Sequence, residues 1–170
     1  MKFVSETSYA GPLGLVLEAL TSRELLLARE KAAGTEQMVE FAEDGATHSF
    51  RIQLAPEQIP AAARSFFPHG AKVFATATPV VQAEAGRVHG AKIPYIIDVS
   101  GAPVAGTLTF LLADTGATTA AKISGEVKVS VPFIGGLIEK KVVDHLGKVI
   151  AEDTKLVNAE VLRRRTEESQ

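Results

Sequence analysis

The chain has 170 residues, of which 46% are hydrophobic and 22% charged, with a formal net charge of -2 and no cysteine. That length suits one domain over 1–170, and that apolar content fills a sizeable core, which excludes a disordered chain. The balance of charge lacks the Lys and Arg surplus of a nucleic-acid binder, and the missing cysteines exclude disulfides, thiol nucleophiles and thiolate metal sites.

Lys2 to Tyr9 reads as a strand of mixed faces, broken by Gly11 and Pro12. Two short helices follow. Pro12 suits a first helical turn, Thr21 or Ser22 can cap the second helix, Glu24 lies in its first turn and Gly34 ends it. From Thr35 the apolar period is mostly two. Gln37, Val39 and Phe41 share a face, and EDGA (Glu43 to Ala46) signals a hairpin. His48, Phe50, Ile52 and Leu54 share a face opposite Ser49, Arg51 and Gln53. APEQIPAAARSFFPHG is a proline-bounded excursion with room for a short helix. Strands return in KVFATATPVVQAE, RVHGAKIPYIIDV, GTLTFLLAD and TTAAKISGEVKVSV, with turns at Ala85–Gly86, Gly101–Pro103 and Asp114–Gly116. The order is strand, two helices, about six more strands and a long helix. That is an α+β pattern with an antiparallel sheet of about seven strands, not alternating βαβ.

The stretch GEVKVSVPFIGGLIEKKVVDHL, from Gly125 to Leu146, changes period partway. Ile123, Val127, Val129 and Val131 form one strand face, and Lys122, Ser124, Glu126, Lys128 and Ser130 the other. The sheet therefore has a covered face and a wet face. A helix from about Gly136 to Arg165 is ~45 Å long, which matches a strand of ~14 residues. Pro132 stops the ladder, and Gly135 and Gly136 allow an abrupt change of direction, with positive φ at either if the turn needs it, so that the helix folds back along the covered face. Glycines 86, 90, 106 and 125 can let the strands bend, and the tail 166–170 is expected to fray. A curved sheet gripping one helix, closed at one end by two short helices, leaves an apolar space suited to apolar ligands.

Four blocks carry a family resemblance: VLEALTSRELLLARE, LAPEQIPAAARSFF, SGAPVAGTLTFLL and above all GEVKVSVPFIGGLIEKKVVDHL. On these the chain resembles the START-like, Bet v 1-like (SRPBCC) superfamily over nearly its full length, and within it a bacterial family of unknown function (DUF2505-like). The resemblance implies a helix-grip fold with a cavity for hydrophobic molecules. It transfers no catalytic residues. Superfamily relatives include lipid carriers, polyketide cyclases, quinone-binding proteins and chaperone activators. With no Trp and only 6% aromatics, a cavity wall here would be mainly aliphatic.

On the last helix Val142, Leu146, Val149, Ile150, Leu156, Val157 and Val161 make an apolar stripe at ~100° per residue. Asp153 falls near its centre and Glu160 close by. Asp153 admits two readings: a polar anchor or acid/base aimed inward, or a side chain past the end of the sheet that meets water or a neighbouring Lys or Arg. Tyr95 shares a strand face with Ile93 and Ile97, as a core tyrosine or a cavity group. The candidate lining is Phe50, Ile52, Tyr95, Ile97, Phe110, Val127, Val129, Val142, Leu146, Val149, Ile150 and Asp153, and in a fully packed protein the same residues would simply be core. His48, His69, His89 and His145 form no close ligand motif, so no metal is expected, and no cofactor either. GPLG, GAPVAG and PFIGG match no phosphate loop, and RRR near the end reads as a solvated helix terminus.

The first functional reading is a binding protein for a lipid, quinone or polyketide-like molecule. The alternatives are a cyclase-like or hydrolytic enzyme in the same cavity, and a protein-interaction module. The N-terminal MKFVSETSYAG lacks a signal peptide's apolar stretch, and no run is long enough to span a bilayer. A cytoplasmic protein with no integral membrane segment is expected, monomeric or homodimeric.

Overall fold

The computed structural model describes residues 1–34, 38–59, 61 and 63–170, without the side chains of residues 38 and 39. The expected grouping of Gln37 and Val39 with Phe41 lies outside the described residues. The elements are β1 (Lys2–Tyr9), α1 (Leu13–Leu20), α2 (Arg23–Ala33), β2 (Met38–Asp44), β3 (Thr47–Leu54), 3-10 turns at Pro56–Gln58 and Arg64–Phe66, β4 (Ala71–Ala77), β5 (Val80–Glu84), β6 (Arg87–Ser100), β7 (Val104–Asp114), β8 (Thr119–Val129) and α3 (Gly135–Glu168). The strands form one antiparallel sheet in the order β1-β8-β7-β6-β4-β3-β2, with β5 also on β6. This is the α+β helix-grip fold.

The sheet has eight strands because KVFATATPVVQAE is two strands, not one. Pro79 lacks the N–H that a continuous ladder needs, and the chain breaks there. Both halves pair with the long β6: β4 along Tyr95 to Ser100, β5 along Arg87 to Lys92. Pro94 sits opposite the break, where neither strand pairs with β6, and a mid-strand proline is tolerated there.

Two capping devices are local. The Ser22 hydroxyl accepts from the Leu25 N–H at 3.1 Å, and Gly34 ends α2 in the left-handed region at φ 72°. At the start of α3 the turn uses positive φ at neither glycine. The residue with positive φ is Phe133 (φ 66°), fully exposed, and not Gly135 or Gly136. Gly135 serves close approach instead: a Cβ there would lie 2.2 Å from the Val129 carbonyl oxygen, whereas one at Gly136 would meet open space. At the other end α3 continues through the tail expected to fray, as far as Glu168.

The core lies in two clusters, one at each end of α3. Val157 and Val161 pack with Tyr9, Leu13, Val16 and Leu25 beneath α1 and α2. Ile138 packs with Val129, Ile59, Ala63 and Ala71. Polar contacts reinforce both ends. Arg164 reaches Glu160 on its own helix at 2.8 Å and Glu24 on α2 at 3.3 Å. Glu139 accepts from the Val129 N–H at 2.8 Å and the N-terminal amine at 2.9 Å. Between Ile138 and Val157 no α3 residue is fully buried. That stretch covers about 28 Å of helix at ~1.5 Å per residue, so the helix is gripped at its ends while its middle stands over the sheet.

Candidate functional site

Two adjoining chambers occupy the space under the middle of α3. One, of about 230 Å³, is lined by Phe3, Phe50, Tyr95, Ile97, Leu108, Phe110 and Ile123 from the sheet, Leu146, Val149, Ile150 and Asp153 from α3, and Arg29 from α2. The other, of about 220 Å³, lies between Val142 and Leu146 on α3 and Phe3, Ile97, Val99, Val104, Leu108 and Val127 on the sheet. They share Phe3, Ile97, Leu108 and Leu146. Each alone is smaller than the ~300–1,000 Å³ of common ligand sites, while the two in line fall inside that range.

The sheet builds this wall by parity. Tyr95 and Ile97 alternate inward on β6, as do Leu108 and Phe110 on β7, where Tyr95 pairs with Leu108 and Ile97 with Gly106. Phe3 enters because its partner on β8 is a glycine: a Cβ at Gly125 would lie 2.8 Å from the Phe3 ring and 2.1 Å from the Thr107 carbonyl oxygen. Tyr95 stands edge-on between Phe50 and Phe110, with ring centroids 6.4 and 6.0 Å away.

One end of the first chamber is polar. The Arg29 Nε donates to Asp153 Oδ1 at 2.6 Å and its Nη2 to Oδ2 at 2.8 Å, a two-point contact between α2 and α3. The side chains are 26% and 20% exposed, so the pair is largely withdrawn from water. Burial works against the Arg29 charge, but the hydrogen bonds and charge of Asp153 more than offset it, and the guanidinium stays ionised. Burial raises the Tyr95 phenol above its ordinary value; the Arg29 charge opposes this only partly, and the Asp153 charge adds to it. Tyr9, 1% exposed at the end of β1, is also raised, by burial first and then by Asp153. Its hydroxyl has no hydrogen-bond partner among the described residues. Both tyrosines are therefore neutral O–H groups at pH 7.

Of the lining residues expected from sequence, Phe50, Tyr95, Ile97, Phe110, Leu146, Val149, Ile150 and Asp153 border the first chamber, and Ile97, Val127, Val142 and Leu146 the second. Val149 is also 46% exposed and, with Val142 and Leu146, borders an outer groove between α3 and the Pro56–Phe66 segment. Ile52 and Val129 border neither chamber. Val129 is buried in the core cluster at the N-terminal end of α3, and Ile52 is half-buried, paired with Val73 on β4. Asp153 combines its two readings: it points at the chamber and it pairs with an arginine. That arginine, Arg29, is not among the residues expected from sequence. Its signal was present in α2, where Arg29 lies one turn beyond the buried Leu25. Glu160 is buried and held by Arg163 and Arg164, so the basic run is tied to acidic partners of the fold. His69, His89 and His145 are exposed, and among the described residues no group of three His, Cys, Asp or Glu side chains is placed to hold a metal ion. A wider depression of about 660 Å³ beside α1 and α2 is lined mainly by polar groups, including Glu18, Arg23, Glu24, Glu43 and Arg164, and suits an apolar molecule poorly.

Residues 5–160 match the family described as Protein of unknown function (DUF2505). The chain belongs to this family. No curated protein matches it by sequence. Several solved structures share its fold. The TTHA0849 protein of Thermus thermophilus aligns with TM-score 0.64 at 13% identity, over 96% of this chain and 99% of that one. A point mutant of norcoclaurine synthase from Thalictrum flavum, in complex with a transition-state analogue, aligns with TM-score 0.63 at 16% identity, over 97% and 96%. The Zhui aromatase/cyclase from Streptomyces sp. R1128 aligns with TM-score 0.61 at 12% identity, over 96% and 94%. At these identities the likeness is one of fold: START-like and Bet v 1-like. Among the described residues no helix is long and apolar enough to cross a membrane.

Proposed function

We propose that this protein binds an apolar or amphipathic small molecule, such as a lipid, quinone or polyketide-like compound, between the concave sheet and the middle of α3. The observation that carries this reading is the division of the core: α3 is fully buried at both ends, and under its middle, which is at most half-buried, lie two mainly apolar chambers. A fully packed helix-on-sheet interface would bury that stretch most deeply. The outer groove bordered by Val142, Leu146 and Val149 offers a route inward past the helix. A cytoplasmic location suits a chain without cysteine. Native mass spectrometry of gently purified protein, followed by titration with an apolar fluorophore, tests the reading. A retained small-molecule mass or saturable uptake is expected; the absence of both would refute it.

A second reading, a cyclase-like or hydrolytic enzyme, draws on the convergence of Asp153, Arg29 and Tyr95 at one end of the chamber. A plant synthase and a bacterial aromatase/cyclase of the same fold support it by analogy only. Its signature is chemical change: a ligand recovered unaltered after prolonged incubation leaves binding alone.

A further inference from the structure

Several features outside the chamber carry nothing further. In the polar depression beside α1 and α2 the His48 imidazole already faces Glu43 at 3.4 Å, and exposed Phe133 stands alone at a turn. The polar end of the chamber, in contrast, restricts what kind of headgroup can be accepted there.

Resting on the binding reading above, we propose that the ligand's polar end is an uncharged hydrogen-bond-accepting oxygen, a ketone, quinone or ester carbonyl, and not a carboxylate. Among the described residues Arg29 is the one cation lining either chamber, and Asp153 neutralises it through both carboxylate oxygens. The polar end thus has no net charge. A fatty-acid carboxylate placed there would bring a second negative charge beside Asp153 with no free cation to answer it. A carbonyl oxygen brings no charge and needs only donors. Tyr95 lines the chamber beside Arg29, and the Tyr9 hydroxyl, fully buried in the adjoining core and unpartnered among the described residues, lies in the field of the same Arg29, Asp153 and Tyr95 groups. Tyr9 lines neither chamber, so the neutral hydroxyl donor that the chamber wall offers such an oxygen is that of Tyr95. The apolar remainder of such a ligand runs past Leu146 into the second chamber, whose wall is almost wholly apolar.

The test compares three ten-carbon probes, 2-decanone, decanoate and decane, by displacement of an apolar fluorophore at pH 8, where decanoate in solution is ionised. For the unmodified protein 2-decanone is expected to bind at least ~10-fold more tightly than either of the others. Asp153→Asn keeps the side-chain shape and frees the Arg29 charge, so it should shift the preference toward decanoate by at least ~10-fold. If Asp153→Asn does not fold, Tyr95→Phe takes its place and should narrow the gap between 2-decanone and decane. Decanoate binding as tightly as 2-decanone to the unmodified protein overturns the inference, as does a folded Asp153→Asn with unchanged preference. Equal binding of decane and 2-decanone does the same. All three of these outcomes leave the cavity reading standing, whereas failure of every probe and of the fluorophore itself removes the cavity reading.

Discussion

Replacing Leu146 with Phe asks whether the middle of α3 stands over open space. Leu146 is half-buried and borders both chambers, of about 230 and 220 Å³. Enlarging a residue in a close-packed core costs ~1–3 kcal/mol through displaced neighbours and poor rotamers. For a protein of this size each kcal/mol moves the melting temperature by roughly 2–4 °C, so a packed site would lose roughly 2–12 °C. At Leu146 the added ring atoms enter existing space, and the expected loss is below ~2 °C. Val157→Phe is the control. It lies on the same helix, is fully buried and belongs to the core cluster at the C-terminal end of α3, so it should show the full cost. Thermal unfolding followed by circular dichroism measures stability, and titration with an apolar fluorophore measures the remaining space, which Leu146→Phe should reduce. If Leu146→Phe loses as much as Val157→Phe, and the unmodified protein takes up no fluorophore, the helix middle is packed and the reasoning fails.

The two adjacent glycines that open α3 should respond in opposite ways. Gly135→Ala drives a methyl group against the Val129 carbonyl and should cost ~1–3 kcal/mol, whereas Gly136→Ala meets nothing and should gain up to ~1 kcal/mol from helix propensity; equal melting temperatures for the two variants would refute this. Phe133→Gly should hold or raise stability, since it replaces a fully exposed side chain at φ 66° with the residue that tolerates that region, and a clear fall in melting temperature would show that the ring has a packing role. Glu160 is held below its ordinary carboxylate value, first by the hydrogen bonds from Arg163, so its contribution to stability is present above about pH 4.5 and is lost as pH falls through the lower folded value. The difference in melting temperature between the unmodified protein and Glu160→Gln should therefore be largest near neutral pH and close in acid; a difference that does not change with pH would show that Glu160 contributes no charge interaction.

Much of the architecture was legible along the chain because its signals are local. Alternation in Phe50 to Leu54 and in Ile123 to Val129, the three-and-four spacing of the α3 stripe, the Ser22 cap and the Gly34 stop each depend on residues within one turn or one strand pair. Local signals also placed Asp153 on the inward face of α3. They could not choose between its two readings, because Arg29 stands 124 residues away and comes to it only when α2 packs on α3. The same limit explains the break at Pro79. Two strands joined by a proline look like one long strand until β6 is seen to pair with each in turn. It also explains Phe133. Gly135 carries the steric signature of a turn, but its bare backbone is needed to pass the Val129 carbonyl, and the positive φ falls two residues earlier. The cavity is the clearest case. A stripe of Val142, Leu146, Val149 and Ile150 predicts an inward face whether that face is packed or open. Whether space remains beneath it depends on sheet curvature and on where the two core clusters grip the helix, and both arise from contacts between residues far apart in the chain.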